Sequence, residues 1–119
     1  MNRSIITEIE DRKQFHDILK NNNSFILKFG AEWCGPCKKI KTLFYDLVNT
    51  LPSDVLVGDI DVDHSFDIYA FLKSKKMVNG IPVILGYKRD NENYIPDASV
   101  TGTNINEINN FFETIKSWE

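Results

Sequence analysis

The chain has 119 residues, 42% hydrophobic and 26% charged, with a formal net charge of −3. That length suits a single domain over 1–119, which buries roughly two-thirds of the surface its unfolded chain exposes and needs neither disulfide nor metal to hold a core. The composition excludes disorder, and the charge argues against a nucleic acid or an anionic membrane as partner.

The N-terminal "MNRSIITEIEDRKQF" has no apolar run long enough for a signal peptide, and no later segment is long enough to span a membrane. A reducing cytoplasmic compartment is therefore the expectation. There, closely spaced cysteines are catalytic or metal-binding more often than structural. Asn2-Arg3-Ser4 and Asn22-Asn23-Ser24 match the glycosylation pattern but carry little weight without a secretory signal.

In chain order, Ser4–Ile9 alternates weakly and reads as a short strand. Asp11 then caps a helix whose inner face carries Phe15, Ile18 and Leu19, and the triple asparagine at 21–23 ends it in a turn. "SFILKFG" (24–30) is an apolar run broken only by Lys28, the pattern of a central strand buried on both faces. After "AEWCGPCKKIK", Ile40, Leu43, Phe44, Leu47 and Val48 recur at helical spacing to about Thr50. "SDVLVGDIDVD" (53–63) is a second β-rich run, followed by a helix over 65–74 with Phe66, Ile68, Tyr69 and Phe71 or Leu72 turned inward. "GIPVILGYKR" and "NYIPDASVTG" read as a hairpin turning near Asp90-Asn91. A last helix places Ile105, Ile108, Phe111, Phe112 and Ile115 on one face. The order β-α-β-α-β-α-β-β-α predicts an α/β fold, a mixed sheet with helices on both sides.

Cys34 and Cys37 are the only cysteines. A structural zinc needs about four ligands, and one Cys-x-x-Cys supplies two. His16 and His64 do not stand at metal-ligand spacing, so no metal is expected. Asp59, Asp61 and Asp63 resemble the start of a calcium loop, but His64 and Ala70 occupy the positions of its required glycine and glutamate. A redox couple fits better. Between a buried strand and an amphipathic helix, Cys34 falls at a helix N-terminus, where free N–H groups and the helix dipole favour a thiolate. Cys37 lies one turn further on and faces inward. Pro36 suits the first helical turn, and Gly35 leaves the approach of a partner's disulfide open. Cys34 would attack that disulfide, and Cys37 would resolve the mixed disulfide that results.

With "AEWCGPCK" at 31–38, "GDIDVD" at 58–63, "GIP" at 80–82 and Gly102 before the last helix, nearly the whole chain resembles the thioredoxin family. The resemblance implies the thioredoxin fold, a central mixed five-stranded sheet flanked by four helices, with a cis Ile81–Pro82 bond beside the cysteines. It implies a substrate groove formed by Trp33, Gly35, Pro36, Ile81, Pro82, Thr101, Gly102 and Thr103, in which the Ile81 backbone pairs with an extended substrate segment. It further implies disulfide-containing protein substrates, an external reductase as electron donor, no bound cofactor and a monomer. A protein-disulfide reductase is the first functional reading. A thiol-disulfide oxidant or isomerase is the second, and a non-catalytic thioredoxin-like binding module the third.

The chain departs from the family pattern in four places. Lys28 stands six residues before Cys34, where the family usually has a buried aspartate, and Asp59 aligns with that aspartate's lysine partner. Lys28 and Asp59 therefore read as a reversed pair that tunes the couple along with Gly35, Pro36 and Pro82; the alternative is a Lys28 that snorkels outward. Thr42 replaces a helix-kinking proline, which predicts a straighter helix. "KSKKMVN" and "RDNENYIPD" lengthen two connections and read as polar surface loops. Gly30, where bulkier residues are usual, predicts looser packing beneath the motif.

Overall fold

The computed structural model describes residues 3–119, so Asn2 of the first glycosylation pattern lies outside it. Its elements are β1 (Ile5–Ile6), α1 (Arg12–Leu19), β2 (Phe25–Gly30), α2 (Gly35–Lys39), α3 (Lys41–Val48), β3 (Leu56–Asp61), α4 (Phe66–Ser74), β4 (Val83–Tyr87), β5 (Ala98–Thr101) and α5 (Ile105–Ser117). The sheet order is β1-β3-β2-β4-β5; β2 pairs parallel with β3 and antiparallel with β4, so every residue of this central strand is buried.

Alternation along β2 sends Phe25, Leu27 and Phe29 to one face and Ile26 and Lys28 to the other. The first face joins Phe15 and Leu19 of α1, Ile68 and Leu72 of α4, and both cysteines. The second joins Ile26 to Ile40, Phe44 and Val48 and to Ile108, Phe111, Phe112 and Ile115 of α5. Gly86 lets α5 come this close to β4, because a Cβ there would meet Ile115 Cδ1 at 2.6 Å. At the start of α1, Asp11 Oδ1 accepts from Gln14 N at 2.8 Å; at its end Asn22 takes φ 67°, as the triple asparagine suggests.

Several expectations are corrected. The helix after the cysteines is not straight but divided at Ile40, whose φ of −98° and ψ of 0° end α2, and the flanking helices number five, not four. The division cannot stem from a missing donor, since Thr42 has its N–H. At the break stands Ile40, anchored among the buried residues of the second face.

Phe66 is 69% exposed, because it lies two residues, about 200° of helical rotation, from the buried Ile68–Leu72 stripe of α4. Ile105, the first residue of α5, is 60% exposed, and the buried stripe begins at Ile108. Neither lengthened connection is merely polar surface. Val78 is buried and Tyr94 packs edge-on against Phe71, with Tyr94 O accepting from the Tyr87 hydroxyl at 2.8 Å.

Candidate active site

The topology gathers the motif residues at one end of the sheet. Gly30 ends β2 and leads through Ala31–Trp33 into α2, while Val83 opens β4 opposite Phe29 and Thr101 closes β5 opposite Val83. The bond between Ile81 and Pro82 is cis, and Ile81 packs against the cluster that contains both cysteines. Gly102, at φ 97°, takes the left-handed conformation that glycine permits and donates its N–H to Pro82 O at 2.9 Å. Trp33, Gly35, Pro36, Thr101 and Thr103 are exposed around this junction, Ile81 and Gly102 are half-buried, and Pro82 is buried.

Cys34 is the N-cap of α2 and Pro36 lies in its first turn. The two sulfurs are joined in a disulfide with Cα atoms 5.3 Å apart, and Cys34 Sγ accepts from Cys37 N at 3.2 Å. A sulfur already receiving a backbone N–H at a helix start is well placed to carry negative charge once the bond opens. Each cysteine is only 5% exposed, so little of this sulfur is open to a partner.

Lys28 does not snorkel outward. Its Nζ lies 3.1 Å from Asp59 Oδ1, the two residues being register partners of β2 and β3. The ammonium side chain is 7% exposed and faces the Phe44 ring at 5.4 Å. The other carboxylate oxygen, Asp59 Oδ2, accepts the Tyr45 hydroxyl. Burial, and then this bond to Asp59, push the Tyr45 phenol well above the ordinary tyrosine range.

Gly30 does not loosen this region. A Cβ there would stand 3.4 Å from Cys37 Sγ and 3.5 Å from Lys28 Nζ, so the sulfur and the ammonium close on the same point. They are at most about 7 Å apart, within reach of a direct Coulomb interaction. A cleft of about 540 Å³ opens over them, with Cys37, Lys28 and Asp59 on its walls and Lys38 and Lys41 at its margin.

The acidic run orders the motif loop. Asp61 Oδ2 accepts from Glu32 N at 3.3 Å and Asp61 Oδ1 from Asp63 N at 2.8 Å. Asp63 Oδ2 in turn accepts from Trp33 Nε1 at 2.7 Å, fixing an indole that is 68% exposed. The linear reading missed Asp61, Asp63 and Tyr45 as site residues. For the aspartates a signal existed, since 59, 61 and 63 alternate with apolar residues and so share one side of the chain. Tyr45 gives no linear signal, standing one place off the buried stripe of α3. Among the described residues, no three His, Cys, Asp or Glu side chains converge on a metal-sized point.

The family model described as Thioredoxin matches residues 6–114. The chain is 30% identical over 115 residues to Thioredoxin 3 of Plasmodium falciparum, an alignment that covers 95% of this chain and 61% of that protein's length. It is 32% identical over 90 residues to a thioredoxin of Mycoplasma pneumoniae, covering 76% of this chain and 83% of the other. Among solved structures, oxidized mitochondrial thioredoxin 3 of Saccharomyces cerevisiae superimposes with a TM-score of 0.72 at 25% identity, covering 92% of this chain and 94% of that one.

Proposed function

The chain belongs to the thioredoxin family, and from that premise we propose that it is a general protein-disulfide reductase. The observation that carries this reading is the Cys34–Cys37 disulfide at the start of α2, with Cys34 as N-cap and the cis Ile81–Pro82 bond at the same end of the sheet.

In the reduced protein, Cys34 thiolate attacks one sulfur of a substrate disulfide. One S–S bond breaks, a mixed disulfide forms, and the first substrate sulfur leaves as a thiolate. Cys37, as thiolate, then attacks Cys34 Sγ and expels the second substrate thiolate. Two electrons pass from the cysteine pair to the substrate, and both substrate thiolates take protons from solvent. A separate reductase returns the electrons by the reverse exchange.

Trp33, Gly35, Pro36, Ile81, Pro82, Thr101, Gly102 and Thr103 make the docking surface in this reading. The exposed or half-buried positions that all of them but the buried Pro82 occupy around the motif support it. The protein acts as a monomer in the reducing cytoplasm, where a pair used for exchange is kept cycling. Lys28 and Asp59 tune the couple: an ammonium near Cys37 favours its thiolate electrostatically, where a carboxylate would take its proton.

That same ammonium favours a second reading, as an oxidant or isomerase, because stabilising the thiolate stabilises the reduced form and raises the potential. The equilibrium potential of the Cys34–Cys37 couple against a thiol buffer separates the two. A value near ~−270 mV, typical of thioredoxin, supports the reductase; one near ~−180 mV or above supports the alternative.

A further inference from the structure

Tyr45 has no part in disulfide exchange as such, yet α3 commits two adjacent aromatic residues to the ion pair beneath Cys37. Phe44 presents its ring to the Lys28 ammonium, and Tyr45, packed edge-on against Phe44 at 5.2 Å, donates its hydroxyl to Asp59. Asp59 thus divides its carboxylate between two donors on two elements, Oδ1 to Lys28 and Oδ2 to Tyr45.

A carboxylate oxygen engaged by a hydroxyl is unavailable to the ammonium. Asp59 is held in register with Lys28 by the β2–β3 pairing, so Tyr45 is what keeps Oδ2 turned away from the cation. Without the hydroxyl, the carboxylate can close on Lys28 with both oxygens and neutralise it more fully. The ionisable groups lining the same cleft as Cys37 are Lys28, Glu32, Lys38, Lys41, Asp59 and Asp61, and of these Lys28 brings its ammonium within 3.5 Å of the point beside Gly30 that Cys37 Sγ approaches to 3.4 Å.

We infer that Tyr45 is a positioning residue of the redox couple: by holding one oxygen of Asp59, it leaves Lys28 incompletely neutralised and so sustains the positive field that favours the Cys37 thiolate. The inference rests on the reading of Lys28 given under Proposed function. It makes the potential depend on a side chain of α3 that touches neither sulfur.

The test is a double-mutant cycle on the full chain carrying Cys34→Ser, with the fraction of Cys37 present as thiolate followed against pH. The four proteins are this parent, Lys28→Met, Tyr45→Phe and the double variant; denaturant unfolding at neutral pH checks that each is folded. Lys28→Met is expected to lower the thiolate fraction at fixed pH. Tyr45→Phe is expected to lower it about threefold, half a unit in titration midpoint, and to have no further effect once Lys28 is methionine. An unmoved titration in Lys28→Met overturns the Lys28 reading and the inference with it. If Lys28→Met shifts the titration but Tyr45→Phe leaves it unmoved, raises the fraction, or shifts it equally in both backgrounds, the role of Tyr45 alone is overturned.

Discussion

Single side chains in this protein do separable jobs around one pair of sulfurs. In the proposed couple Lys28 and Tyr45 act on Cys37, while Asp63 holds Trp33 and is not among the residues lining the cleft over Cys37. Asp63 should therefore affect docking without affecting the couple. Its bond to the indole nitrogen is worth about 1 kcal/mol of preorganisation. Asp63→Ala is expected to lower kcat/KM for a protein disulfide about fivefold, with the Cys34–Cys37 potential unchanged. Steady-state reduction of a protein disulfide and a thiol-buffer titration of the same variant check both halves; a shifted potential would place Asp63 in the redox machinery instead. The Lys28–Asp59 partnership was legible through the family resemblance, which aligns Asp59 with the usual lysine partner, and through the demand of a buried ammonium for an anion. The contribution of Tyr45 was not, since it depends on how α3 is rotated over the sheet, and residue order does not record that rotation.

At the scale of elements, the same limit appears at the active-site helix. The strands, the N-cap of α1, the asparagine turn and the buried stripe of α5 past its first turn follow from periodicity and capping chemistry, which are local properties. The division at Ile40 does not, because no capping side chain marks it. The family's usual proline is replaced by Thr42, yet the helix is interrupted two residues earlier. The first backbone bond of α3 runs from Phe44 N to Ile40 O at 2.8 Å. Thr42 consequently lies in the first turn of a new helix, where a backbone N–H has no partner four residues back. Thr42→Pro is then expected to cost less than about 1 kcal/mol, whereas Asp46→Pro, inside α3, should cost about 3 kcal/mol or more. Urea unfolding of the two variants decides it. A loss near 3 kcal/mol for Thr42→Pro would mean that its N–H belongs to a continuous ladder through the break.

Across the whole molecule, the two faces of the sheet are packed differently, and this gives the protein a defined weakness towards base. The first face is centred on Tyr87, fully buried, with Phe15 edge-on to its ring at 5.7 Å and Phe25 stacked at 6.3 Å. Burial, and then the nearby Asp97 charge, push the Tyr87 phenol far above its ordinary range; burial also raises Tyr69, and burial followed by Asp59 raises Tyr45. Each of these groups keeps its proton in the folded state after the unfolded chain, titrating near ~10, has lost it. Below that pH both states are protonated and the contribution to stability is complete. Above it the unfolded state binds fewer protons, so stability falls as pH rises towards the folded-state values. Tyr87→Phe should cost about 1 kcal/mol at neutral pH, through the lost bond to Tyr94 O. Above pH ~10 its stability should then decline less steeply than that of the parent, by about 1.4 kcal/mol per pH unit. Unfolding free energies of parent and variant, measured from neutral pH to above pH ~11, should converge and then cross. Parallel curves would show that the Tyr87 phenol ionises as readily folded as unfolded, and the alkaline weakness would then have to come from elsewhere in the core.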